Sequence, residues 1–135
     1  MAKTKVRFTR ESLLMGRLLD PGWYPMKVKQ INEKPAKDGS TNFMVKLENT
    51  KEGDDQGVVV TRVFNEKPEA IGFMRPYLEA FGVNVEADVD FDIYQTEGEM
   101  LEVYIQHRVT DQQQTVNDAI YFRPIGSGEA EAAQA

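Results

Sequence analysis

The sequence predicts an all-β domain of five short strands with a helix between the third and fourth. Three observations predict it. Apolar and polar residues alternate with period two in several short runs, as in Tyr24, Met26 and Val28 against Lys27 and Lys29. Gly, Pro, Asn and Asp cluster between those runs, as turns require. Helical spacing, at Ile71, Met74, Leu78 and Phe81, follows the third strand.

The elements follow in order. Residues 1–20 form an N-terminal extension, in which Phe8–Met15 suits a short helix with Thr9 as its N-cap. Asp20-Pro21-Gly22 is a turn, and Trp23–Ile31 is the first strand. Lys34–Ser40 reads as a basic, turn-rich loop before a second strand at Asn42–Glu48, whose Phe43, Val45 and Leu47 point one way. Val58–Phe64 is rich in β-branched residues and forms the third strand. Pro68 opens the helix, Gly82 ends it, and Pro76 conflicts with it because it removes a backbone donor. Leu101–Val109 and Val116–Arg123 are the fourth and fifth strands. This order is that of an OB-type Greek-key barrel. It spans residues 1–125 as one domain, and 126–135 is expected to be a disordered acidic tail because it lacks apolar anchors.

A chain of 135 residues suits one domain with a core of its own. The absence of cysteine excludes disulfides, thiolate nucleophiles and Cys-based zinc sites. No apolar run reaches the length of a signal segment or a membrane span, so the chain is read as soluble and intracellular. The net charge of −6 is unevenly spread. Residues 1–51 hold 11 Lys and Arg against 5 Asp and Glu, a net of +6, whereas residues 52–135 carry −12. Such polarity predicts a basic face on an acidic body, and a phosphate chain responds to the field within a Debye length of about 8–10 Å.

Four segments carry a resemblance. They are Gly22–Tyr24, Asp38–Glu48, Val63–Lys67 and Asn117–Pro124. In pattern and order they resemble small bacteriophage proteins of the OB-fold, single-stranded-DNA-binding type. The resemblance runs from about Gly22 to Ile125. It implies a non-enzymatic role in phage DNA replication or recombination, in the cytoplasm of the infected bacterial host. The partners it implies are single-stranded DNA and phage or host replication proteins. Bacterial single-strand binders usually end in an acidic tail tipped by an aromatic residue. This chain ends Ala132-Ala133-Gln134-Ala135, which argues against partner docking through the tail.

A sequence-tolerant single-strand binder needs a cationic groove and exposed aromatic plates. If each strand turns its apolar set inward, Lys27, Lys29 and Lys46 face outward on the first two strands. Arg62 and Phe64 then share the outward face of the third strand, Tyr104 and Arg108 that of the fourth, and Tyr121 and Arg123 that of the fifth. Trp23 begins the first strand, and Lys34 and Lys37 lie in the first loop, a usual nucleic-acid contact of OB barrels. These twelve residues are the expected interface.

Other chemistries find less support. Asp88, Asp90, Asp92 and Glu99 fall on positions one, three, five and twelve of a calcium loop, but Ile93 stands where that loop needs glycine. No metal or other cofactor is expected. His107 is the only histidine and sits within a strand, and no triad or phosphate-cradling motif is present. The alternatives are a protein-interaction or assembly module and, third, a metal-dependent nuclease of scattered carboxylates. The sequence leaves the oligomeric state open.

Overall fold

The computed structural model describes residues 5–86 and 90–134. Five antiparallel strands form one sheet: β1 (Gly22–Pro35), β2 (Thr41–Asn49), β3 (Val59–Asn65), β4 (Met100–Val109) and β5 (Thr115–Pro124), in the order β3-β2-β1-β4-β5. Four short helices accompany it: α1 (Arg10–Leu14), α2 (Pro68–Ile71), α3 (Arg75–Glu79) and α4 (Ser127–Gln134).

β1 is the spine of the sheet. Its first part, Gly22–Lys27, pairs with β4, and the stretch from Met26 to Pro35 pairs with β2. The register shifts between Val28 and Gln30, leaving Lys29 as an extra residue opposite β2. Such a bulge bends a strand and increases its twist, which a strand shared between two partners needs. A second register shift lies in β5, between the Tyr104–Tyr121 and Ile105–Ala119 pairs.

The inward side chains build the core. Tyr24, Met26, Val28 and Ile31 come from β1, Val45 and Leu47 from β2, and Leu101, Val103 and Ile105 from β4. Ala119 of β5 joins them, with Leu78 from α3. β3 and β5 are the two edges, and no ladder joins them among the described residues, so the sheet is not closed. Tyr77 of α3 fills the opening. Its ring lies 5.2 Å from Phe64 of β3 and 5.5 Å from Phe122 of β5. Its hydroxyl shares a 2.6 Å hydrogen bond with the buried Thr96.

Three segments differ from the sequence-based expectation. The segment after β3 is not one continuous helix. It is α2, a 3₁₀ turn over Gly72–Met74, and α3, with Pro68 and Pro76 each within a first helical turn, where a missing N–H costs nothing. In β3 the outward set is Val59, Thr61 and Val63, and the inward set is Val60, Arg62 and Phe64. A run of three valines before Thr61 leaves strand parity undetermined, and burial of the large Phe64 ring decides it. At 126–134, expected to be a disordered tail, the chain carries α4.

Candidate nucleic-acid interface

The site is the outward face of the sheet, and strand register assembles it. Trp23 of β1 is the register partner of Tyr104 of β4, and Tyr104 is the partner of Tyr121 of β5. The three rings form one row across three strands. Trp23 and Tyr104 meet edge to face at 5.3 Å, and Tyr104 and Tyr121 stand 5.9 Å apart. Tyr121, at the end of the row, is 60% exposed. The Arg123 guanidinium lies 4.0 Å from the Trp23 ring centre, a cation–π distance.

Beside this row sits a carboxylate that sequence reasoning passed over. Glu102 also points outward but is only 8% exposed, because the chain after β5 folds back over it. It accepts from Arg123 Nε at 2.6 Å and from the backbone N–H groups of Gly126 and Gly128, each at 3.1 Å. Glu131 of α4 takes the other end of the same guanidinium at 2.7 Å. An acidic segment with no apolar anchors is thus held by hydrogen bonds to one buried carboxylate. Nothing in the local sequence signals that pairing.

Next along β1 come the cations. Lys27 is exposed, and Lys29 reaches Glu48 only at 3.7 Å. Lys46 is on β2 beside Gln30. Lys29 and Lys46 line a groove of about 670 Å³ whose far wall is α1, with Arg10, Leu14 and Met15. Arg10 was not singled out from sequence; only the basic balance of residues 1–51 hinted at it. Thr9 caps α1, its side chain accepting from Ser12 N–H, and Arg17 pairs with Asp55 at 2.7 Å to hold the following turn. Lys34 and Lys37 are exposed at the far end of β1. Lys27, Lys34, Lys37 and Lys46 make no ion pair among the described residues.

Two expected members do not belong to this face. Phe64 is 2% exposed and packs against Tyr77 and Phe122, so it is a core residue. Arg62 turns inward with it: its guanidinium lies 5.1 Å from the Phe64 ring centre, and Nη1 donates to the Ala119 carbonyl across the open edge at 3.4 Å. The inverted parity of β3 moves both. Arg108 faces outward on β4 with Asp118 at 3.8 Å.

His107 has structural work. His107 Nε2 donates to the Leu19 carbonyl at 2.6 Å, and Asn117 holds Leu19 N–H and the Arg17 carbonyl, so the two tie the N-terminal segment to the β4–β5 hairpin. Burial, with Asp20 and Asp55 nearby, raises the Tyr24 hydroxyl pKa above its ordinary value. Of the calcium-like run, Asp88 lies outside the described residues, and Asp92 caps the 3₁₀ turn at Ile93–Thr96. Among the described residues no helix is long and apolar enough to cross a membrane. No known protein family matches the chain, and no curated protein matches it.

Proposed function

We propose that the chain is an OB-type barrel that binds single-stranded DNA with little regard to sequence and catalyses no reaction. One observation carries this reading: an aligned aromatic row, Trp23–Tyr104–Tyr121, beside exposed lysines along β1, of which Lys27 and Lys34 make no ion pair among the described residues. Aromatic plates stack on any base and contribute about 1–3 kcal/mol each, while lysines follow the phosphates. From Trp23 to Lys34 the track follows β1 for about 36 Å at roughly 3.3 Å per residue. That length suits the roughly 4–16 nucleotides that an OB barrel covers. The strand order, with β1 shared between β2 and β4, supports the OB reading, since that barrel is five-stranded and partly open. A role in phage DNA replication or recombination inside a bacterial host is part of the same proposal.

The interface of this proposal is Trp23, Tyr104, Tyr121 and Arg108 at one end, Lys27, Lys29 and Lys46 in the middle, and Lys34 and Lys37 at the other, while Arg123, held by Glu102 and Glu131, backs the Trp23 ring. Its test is anisotropy of a labelled oligo-dT against a duplex of equal length at rising salt. Preference for the single strand, with affinity falling as salt rises, supports it. Replacing both Lys27 and Lys29 by Glu should then flatten the log–log salt slope by about 1.4, at about 0.7 per phosphate contact.

A second reading, a protein-interaction module, draws on one observation. Val6, Phe8, Leu13 and Met15 are all exposed on the N-terminal segment. No binding of either nucleic acid at low salt would favour it.

A further inference from the structure

The loop between β1 and β2 is closed by a ring of polar bonds to the end of β3. Its members come from two segments far apart in sequence, Asp38–Asn42 and Asn65–Lys67. The Ser40 hydroxyl donates to Asp38 Oδ1 at 2.6 Å and accepts from Asn65 Nδ2 at 3.0 Å. Asn65 Oδ1 accepts from the Lys67 backbone N–H at 2.9 Å. The Lys67 ammonium pairs with Asp38 Oδ2 and completes the ring.

Further bonds brace it. Asn65 Nδ2 also donates to Asn42 Oδ1 at 2.7 Å. Glu66 holds Thr41 twice, its N–H donating to the Thr41 carbonyl at 3.1 Å and its carboxylate accepting from Thr41 N–H at 2.9 Å. Inside the loop, Ala36 N–H donates to the Ser40 carbonyl at 2.8 Å, and Gly39 takes φ +87°, a conformation that a side chain disfavours. These bonds tie the loop 36–40 to the end of β3. Lys34, at the end of β1, and Lys37, within the loop, have exposed side chains that make no ion pair among the described residues.

We propose that Asn65 and Lys67 are positioning residues of the nucleic-acid interface, acting through the loop that carries Lys37 and follows Lys34 at the end of β1. This rests on the single-strand-binding reading above. The ring does two things for those lysines. It orders the loop in advance, so binding does not bear that cost. It also neutralises Asp38, whose bare carboxylate would offset the charge of the neighbouring Lys37.

The test is a double-mutant cycle read by oligo-dT anisotropy. One arm puts Asn65→Ala into the unaltered chain, and the other puts it into a chain already carrying Lys34→Gln and Lys37→Gln. Asn65→Ala should weaken binding about three- to tenfold in the first arm, the range for re-ordering one or two side chains. It should change binding less than twofold in the second. Lys67→Gln, which opens the ring at the ion pair and leaves Asn65 in place, should repeat the pattern.

An equal loss in both arms overturns the proposal, because a general structural role weakens binding whether or not the lysines are present. So does no loss in the first arm. Failure of the unaltered chain to bind oligo-dT at all removes the single-strand reading and this proposal with it, and the first titration alone reveals that outcome.

Discussion

Replacing Phe64 with alanine separates the core residue described here from the exposed base-stacking plate that strand parity suggests. The ring is 2% exposed, with Tyr77 at 5.2 Å, Phe122 at 6.0 Å and the Arg62 guanidinium at 5.1 Å. Truncating a buried phenylalanine costs about 3–5 kcal/mol. Two aromatic pairs, at about 0.5–1.5 kcal/mol each beyond area, put the expectation in the upper half of that range. Native domains have about 5–15 kcal/mol of stability, so a variant of mid-range stability remains folded in dilute buffer. Urea unfolding followed by far-UV circular dichroism should show a midpoint lower by about 2 M, for a slope near 2 kcal/mol/M. Oligo-dT affinity of the folded variant should stay within about twofold, since the ring is buried away from the proposed interface. A loss under about 1 kcal/mol together with weakened binding would reverse the face of β3 and refute the packing argument.

Three more outcomes follow from the same geometry. Tyr121→Ala removes the most exposed ring of the row. It should weaken oligo-dT binding by about 1–3 kcal/mol while changing stability by no more than about 0.5 kcal/mol, so unchanged affinity would take Tyr121 out of the interface. Glu102→Ala removes the partner of Arg123 Nε, leaving Glu131 on Nη1, and strands two backbone N–H groups in a site where both side chains of the ion pair are under a fifth exposed. It should cost about 3–5 kcal/mol and speed amide exchange at Gly126 and Gly128, and an unmoved unfolding midpoint would contradict the pairing. Burial pushes the Tyr77 hydroxyl up to about 12, against 10 in the unfolded chain. Its share of stability is therefore complete below pH 10 and is lost as pH rises from 10 to 12, by about 1.4 kcal/mol per unit. Tyr77→Phe should flatten the alkaline decline measured by urea titration at each pH, and an identical decline in the variant would remove Tyr77 as its source.

The number and positions of the strands were legible in the sequence because alternation and turn residues are local. Each strand lies within a few residues of its expected bounds; β1 alone extends further, to Pro35. Thr9 as a helix cap was legible for the same reason. Parity was legible wherever polar residues alternate with apolar ones, as in β2. It failed in β3, where Val58-Val59-Val60 offers both faces equal apolar weight. In the structure Lys27 and Lys29 are exposed and Tyr121 is 60% exposed, whereas Phe64 is buried and Arg62 lies against it.

What the sequence alone determined, then, is the set of β-elements, the basic character of the first 51 residues and the residue types available for an interface. Tertiary structure alone decided which of them meet. Register across β1, β4 and β5 lines up Trp23, Tyr104 and Tyr121 from positions up to 98 residues apart. Glu102 captures a C-terminal segment whose composition predicts disorder, and Asn65 joins a loop 25 residues earlier. These are bonds between groups distant in sequence, and their strength depends on a buried geometry that no local pattern encodes.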